Sequence, residues 1–175
     1  MRIISGSSRG KRLFSPGSLP VRPTSDRVKE AFFNCLSGRV AGTRFLDLFA
    51  GTGGVGIEAL SREAGKVVFV DHNRKLIELI RKNLATCGFP ESNWLLEKSS
   101  VFRFLKFSEA DKFDIIFLDP PYHFPEIPRL IKETMKCCAE GGTVTLEHHC
   151  GDIVPNGFYD QRKYGESALS FYGKR

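Results

Sequence analysis

Apolar positions along this chain fall into two alternating patterns. Short runs at Arg44–Phe49, Lys66–Val70, Trp94–Glu97, Phe113–Leu118 and Thr143–Glu147 have the length and the β-branched or aromatic content of buried strands. Between them, apolar residues recur at helical spacing over Gly53–Arg62, Arg74–Cys87, a short piece at Val101–Phe107, and Glu126–Ala139. This alternation predicts parallel strands joined by crossover helices, an open doubly wound α/β domain of Rossmann-like type with its ligand site at the carboxyl ends of the strands. Two further runs, Phe158–Lys163 and Ala168–Tyr172, flank Gly165-Glu166-Ser167 and predict an antiparallel hairpin appended to the mostly parallel sheet.

Ahead of the sheet the pattern differs. Arg2-Ile3-Ile4 and Lys11-Arg12-Leu13-Phe14 enclose the polar stretch Ser5–Gly10, which predicts a small β-hairpin. The loop-like Ser15-Pro16-Gly17-Ser18-Leu19-Pro20 follows. Pro23-Thr24-Ser25-Asp26 then opens a helix in which Val28, Ala31, Phe32, Cys35 and Leu36 share one face, leaving Arg27, Lys29 and Glu30 outside.

At 175 residues and 41% hydrophobic, the chain suits one domain with a sizeable core: a basic arm over 1–22 and a helix plus α/β core over 23–175. No apolar run approaches the roughly 20 residues that span a bilayer, and the start lacks a signal-peptide pattern, so a soluble, cytoplasmic protein is expected. Five cysteines without C-x-x-C spacing argue against a disulfide framework or a zinc knuckle. The net charge of +6 is concentrated at one end, where residues 1–44 hold nine basic side chains against only Asp26 and Glu30. A localised excess of this kind suits a polyanion more than general solubility, although an ordinary solvated basic face is the plain alternative.

The first chemical motif is Asp47-Leu48-Phe49-Ala50-Gly51-Thr52-Gly53-Gly54-Val55-Gly56, which closes a strand and opens a helix. Its glycines let the backbone turn sharply and approach a nucleotide-like ligand. Asp71, twenty residues beyond Gly51 at a strand tip, is placed to accept hydrogen bonds from ribose hydroxyls. Gly51-x-Gly53-x-x-Gly56 matches the dinucleotide fingerprint, so a nicotinamide-dependent dehydrogenase is one reading. S-adenosylmethionine is the other, since its amino-acid ammonium wants an anionic partner such as Asp47.

The second motif is Asp119-Pro120-Pro121-Tyr122, delivered by the apolar strand Phe113–Leu118 to the same sheet edge. Each proline restrains the residue before it to extended conformations, so Asp119 and Pro120 form a stiff turn that presents acceptors. An exocyclic amino group on a base is a poor nucleophile because its lone pair is delocalised. Accepting its N–H bonds with the Asp119 carboxylate and the Pro120 carbonyl favours the form that attacks a methyl sulfonium. Tyr122 can replace the stacking lost by an extruded base. The bland alternative is a strand terminator followed by a rim aromatic.

Arg2-Ile3-Ile4-Ser5-Gly6, Arg9-Gly10, Arg22-Pro23-Thr24, Asp47-Leu48-Phe49-Ala50-Gly51-Thr52-Gly53, Gly56-Ile57-Glu58-Ala59-Leu60-Ser61-Arg62 and Phe117-Leu118-Asp119-Pro120-Pro121-Tyr122 together resemble the bacterial RsmD-type methyltransferases, which modify a guanine N2 in 16S ribosomal RNA. The resemblance runs over nearly the whole length. It implies a class I S-adenosylmethionine-dependent methyltransferase fold and, as substrate, 16S rRNA in an assembling or assembled small subunit; a monomer is expected, although the sequence leaves oligomeric state open. It also implies a cofactor site drawn from Asp47, Phe49, Ala50, Gly51, Gly53, Asp71, His72, Ser100 and Val101. Asp119, Pro120, Pro121 and Tyr122 would hold guanine, and Arg2, Arg9, Lys11, Arg12, Arg22, Thr24 and Arg27 would grip RNA. The chain departs from the family pattern at Glu63-Ala64-Gly65 and at Ser100-Val101, where an acidic residue often contacts adenine. Other classes stay open: a DNA adenine-N6 or other nucleic-acid amino methyltransferase, a dehydrogenase, or a catalytically silent RNA-binding module. No metal site is expected, because the adjacent histidines of Glu147-His148-His149-Cys150 point to opposite faces of an extended segment.

Overall fold

The computed structural model describes residues 1–15, 17 and 24–174. Its frame is a seven-stranded sheet built from β1 (Arg44–Leu48), β2 (Lys66–Asp71), β3 (Trp94–Lys98), β4 (Phe113–Leu118), β5 (Cys138–His149), β6 (Asp160–Tyr164) and β7 (Ser167–Gly173). They lie in the order β3-β2-β1-β4-β5-β7-β6. β1 to β5 pair in parallel, whereas β7 runs antiparallel to both β5 and β6. The chain reverses winding direction between β1 and β4, and that switch opens the crevice in which doubly wound sheets bind ligands.

Alternation along each central strand divides the core into two layers. Phe45, Val67, Phe69, Ile115 and Phe117 point to one side, where α1 (Asp26–Cys35), α2 (Gly54–Ser61) and α3 (Arg74–Cys87) cover them. Leu46, Leu48, Val68, Val70, Ile116 and Leu118 point to the other, beneath α4 (Val101–Phe107) and α5 (Ile127–Cys137). Helix ends follow local chemistry. The Ser25 side chain accepts from Val28 N to open α1, the Asn73 side chain accepts from Lys75 N to open α3, and Gly88, at φ +76, closes α3. Phe32 on α1 packs against Phe117 on β4 with ring centroids 4.7 Å apart, which seats the helix next to the strand that carries Asp119.

The expected N-terminal hairpin forms: Ile3 N donates to the Lys11 carbonyl at 3.0 Å, Gly10 N to the Ile3 carbonyl at 2.9 Å and Leu13 N to the Met1 carbonyl at 3.1 Å, around an antiparallel bridge between Arg2 and Arg12. The turn between its arms folds onto Ser61 of α2 and adds bonds to those of the hairpin. Ser7 N reaches the Ser61 carbonyl at 2.8 Å. The Ser61 hydroxyl donates to the Ser5 carbonyl at 2.6 Å and accepts from Ser8 N at 3.0 Å. Gly6 takes φ +84 here, and a Cβ would lie 1.8 Å from the Ser61 carbonyl oxygen, so no other residue fits.

Lys29 corrects the sequence reading, which placed it on the solvent face of α1. It is fully buried. Its Nζ donates to the Arg2 carbonyl at 2.6 Å and stands 3.5 Å from the equally buried Glu58 carboxylate. Glu58 also accepts from Ile4 N, Ser5 N and Arg62 Nε at 2.8, 2.9 and 3.0 Å. A charge can leave water only when paired and hydrogen-bonded in this way. The basic arm is therefore pinned by its backbone to the core, which leaves the side chains of Arg2, Arg9 and Arg12 at the surface.

His148 is a second buried polar group, held under the sheet edge. Gln161 donates to the Ser170 hydroxyl at 2.8 Å, Ser170 meets His148 Nε2 at 2.9 Å, and His148 Nδ1 meets the His149 carbonyl at 2.8 Å. A carbonyl only accepts, so the proton sits on Nδ1 and Ser170 donates to Nε2, which suits a neutral ring. Burial pushes the His148 pKa below its ordinary value of 6.5, against the opposing bond to the His149 carbonyl. The unfolded chain then binds a proton more readily than the native one, so this contribution to stability is complete above the ordinary histidine value and is lost as pH falls through the native value. Thermal melts are expected to show a falling Tm below about pH 6.5. The acid-side slope should be shallower in His148→Gln, and an unchanged slope would remove His148 as its source.

Candidate active site

A cavity of about 450 Å³ opens at the carboxyl edge of β1, β2 and β4. Asp47, Phe49, Ala50, Gly51, Asp71, His72, Asp119, Pro120, Pro121, Tyr122 and Thr24 all line it, so most of the residues singled out in the cofactor and catalytic motifs converge on one space. Gly53 does not. It turns at φ +78 behind the loop, where a Cβ would press on Ile80 and Ile57 at 3.1–3.2 Å, so its part is to bring the loop onto α3. Ser100 and Val101 also stand outside the lining. Ser100 is exposed at the start of α4 and Val101 is buried in the second core layer.

The glycine loop is held by the carboxylates that flank it. Asp71 Oδ2 accepts from Gly51 N at 3.0 Å while its Oδ1 accepts from Asn73 N at 2.8 Å, tying the tip of β2 to the loop and to the start of α3. Asp47 Oδ2 accepts from Gly56 N at 2.9 Å in the first turn of α2. Gly56 is a packing glycine, because a Cβ there would lie 2.3 Å from the Phe69 ring. Burial pushes the Asp47 carboxyl well above the usual range. The Gly56 N–H bond opposes that shift, and the nearby Asp119 and Asp71 reinforce it. A cation in the cavity would favour the ionised form of Asp47.

Asp119 leaves the end of β4, its N–H bonded to the Leu48 carbonyl at 3.3 Å. Its Oδ2 accepts from the Thr24 hydroxyl at 3.1 Å. Tyr122 is oriented at both ends: its hydroxyl lies 2.7 Å from Ser167 Oγ, and its ring meets the His149 ring edge-on with centroids 5.4 Å apart. His123, His149 and Asp152 lie just outside, with possible metal-ligating atoms within 4.8 Å of one another. Those atoms already serve each other and the loop. His123 Nδ1 stands 2.7 Å from Asp152 Oδ1, His149 N donates to Asp152 Oδ2 at 3.1 Å, and Gly151 N donates to His149 Nδ1 at 3.0 Å.

The residues set aside for RNA separate on inspection. Arg2, Arg9, Arg12 and Arg27 are exposed. Lys11 Nζ donates to the Cys87 carbonyl at 2.9 Å and so caps the end of α3. Arg27 lies over the Tyr164 ring at 5.9 Å. Thr24 faces the cavity, and Arg22 lies outside the described residues.

Several lining residues were not picked out from the sequence, among them Met1, Ser25, Leu76, Glu147 and Ser167. Glu147 carried a readable signal. Like Asp47, Asp71 and Asp119, it is an acid at the carboxyl end of an apolar run, the edge where a doubly wound sheet gathers its ligand contacts. Met1 and Ser167 arrive through long-range packing, and no local pattern announces them. Asn83 is another hidden element. It is fully buried, accepts from Phe14 N at 2.7 Å and donates to the Thr52 carbonyl at 3.1 Å, joining the arm to the glycine loop through α3.

Comparison with known proteins agrees with this geometry. The chain is 34% identical to YlbH of Bacillus subtilis over the whole of both proteins. It is 36% identical to Ribosomal RNA small subunit methyltransferase D of Escherichia coli K12 over 84% of this chain and 71% of that protein. A solved hypothetical protein of Thermus thermophilus superimposes with a TM-score of 0.86 at 31% identity, covering 99% of each chain. With a family model matched across residues 1–173, the chain belongs to the family described as Conserved hypothetical protein 95, the RsmD-type family that its motifs resemble.

Proposed function

We propose that this protein transfers a methyl group from S-adenosylmethionine to the exocyclic N2 amino group of a guanine in the 16S rRNA of the small ribosomal subunit. The observation that carries the reading is the shared cavity, in which Asp119-Pro120-Pro121-Tyr122 and the Asp47–Gly51 loop face one another. Its volume suits a nucleoside-sized ligand, inside the roughly 300–1,000 Å³ of small-molecule sites. The Asp47 and Asp71 carboxyls in its lining suit a ligand that carries both an ammonium and a sulfonium. When bound, S-adenosylmethionine supplies an electrophilic methyl on that sulfonium.

The protein's own groups do the rest. Asp71 and the glycine loop hold the nucleoside end, and Asp47 stands near the amino-acid end. The Asp119 carboxylate and the Pro120 carbonyl accept the two N–H bonds of the amino group and free its lone pair. Tyr122 takes the stacking face of the extruded base. The name of the Escherichia coli relative supports ribosomal RNA as the substrate, and the exposed Arg2, Arg9, Arg12 and Arg27 suit its phosphates. In this reading residues 1–22 are the RNA-gripping arm of a single catalytic domain, which acts in the cytoplasm as a monomer and needs no metal.

Labelled methyl is expected to pass from S-adenosylmethionine to immature small subunits and not to duplex DNA; the reverse preference would overturn the rRNA assignment. Reversing charge at Arg9 and Arg12 should weaken RNA binding and flatten its salt dependence by about one unit of log–log slope per lost phosphate contact. Cofactor affinity should be spared. Unchanged RNA affinity would remove the arm from the interface. Lys11 is left out of that variant because it caps α3.

A further inference from the structure

We propose that Thr24 is a positioning residue for Asp119, restricting the rotation of the carboxylate that receives the target amino group. The inference rests on the methyl-transfer reading above. The terminal torsion of an aspartate is broad, so each donor bound to its carboxylate narrows the orientations it samples. The Thr24 hydroxyl has one proton to give, and it gives it to Asp119 Oδ2 at 3.1 Å. Both ends of the contact are anchored. Ser25, the next residue, caps α1 with its side chain and accepts from Lys29 N through its carbonyl at 2.9 Å. Phe32 of the same helix packs on Phe117, two residues before Asp119. The separation of Thr24 and Asp119 is thus set by the packing of α1 on β4, and both residues line the cavity.

Placement on the segment between arm and helix suggests an RNA contact for Thr24, and the geometry assigns it a different task. The two are separable by experiment. Thr24→Val keeps the shape and removes the hydroxyl, whereas Thr24→Ser keeps the hydroxyl. With RNA and cofactor both saturating, the single-turnover rate of Thr24→Val is expected to fall roughly ten- to hundredfold, the loss usual for a hydrogen bond to a charged group. RNA affinity, cofactor affinity and Tm should stay at parental values, and Thr24→Ser should recover to within a few-fold. In an Asp119→Asn background, Thr24→Val should cost little more, because the group it orients has changed.

A weaker RNA affinity with a parental saturated rate would make Thr24 an RNA contact and overturn the proposal. So would a parental rate in Thr24→Val, or fully additive losses in the double variant. Should Thr24→Val not fold, Thr24→Ala carries the same comparison. An Asp119→Ala protein with parental activity would remove the underlying reading itself, whereas an inactive Asp119→Ala beside a parental Thr24→Val would remove this inference alone.

Discussion

Asp119→Ala is expected to lose methyl transfer by at least roughly a hundred- to a thousandfold in single-turnover assays, while cofactor affinity measured by calorimetry changes by no more than a few-fold. The size follows from what the group does: a preorganised acceptor acts on charge as it develops, and loss of one such contact commonly costs that much. The selectivity follows from the division of labour among the acids. Asp47 and Asp71 are bonded to the backbone of the glycine loop and its flanking helices, whereas Asp119 faces Thr24 at the end of β4. Asp119→Asn should retain more activity than Asp119→Ala, because the amide still offers one acceptor. A fall in cofactor affinity that accounts for the whole loss of rate would move Asp119 from the base to the cofactor.

The largest expected effect on stability lies away from the cavity. Glu58→Ala takes from the fully buried Lys29 ammonium its buried carboxylate, leaving it the more exposed Asp26 at 3.8 Å, and frees Ile4 N, Ser5 N and Arg62 Nε together. Breaking one side of a buried pair costs about 3–5 kcal/mol, which for a chain of this size lowers Tm by roughly 10 °C or more. Urea unfolding of Glu58→Ala beside Lys29→Met separates the two partners. Lys29→Met should cost less, since Glu58 keeps its three other donors. The loss reaches the site as well, because the arm that Glu58 holds carries Met1 into the cavity wall. A cost below about 1 kcal/mol would place this network in the range of ordinary surface pairs.

These two residues also show what a sequence does and does not disclose. Strands and helices on the sheet were readable because burial imposes a period, and α3, α4 and β4 have the expected bounds. The glycine loop and Asp119-Pro120-Pro121-Tyr122 were readable because a sheet of this type gathers its ligand groups at one edge. Lys29 was misplaced because periodicity registers polarity and not partnership, and its partner lies on another helix. Glu58 stood in view as one acid in a helix otherwise buried and mostly apolar, a pattern that demands a buried cation. β5 begins at Cys138, where the reading still had helix and then a loop. Along β4 the ladder passes from Cys138 opposite Phe113 to Thr143 opposite Ile115 across a bulge, in which Gly141 and Gly142 bond to the backbone of Lys174 beyond β7. The final hairpin starts at Asp160 and not Phe158. Phe158 packs against Tyr172 in the second core layer instead.

The central claim is that the cavity presents a guanine amino group to a methyl donor. Immature small-subunit RNA, methylated in vitro with isotopically labelled S-adenosylmethionine and then digested to nucleosides, tests it by mass spectrometry. Label in N2-methylguanosine, absent with Asp119→Ala, is the predicted result. Label in N6-methyladenosine, in a ring-methylated base or in ribose would contradict it.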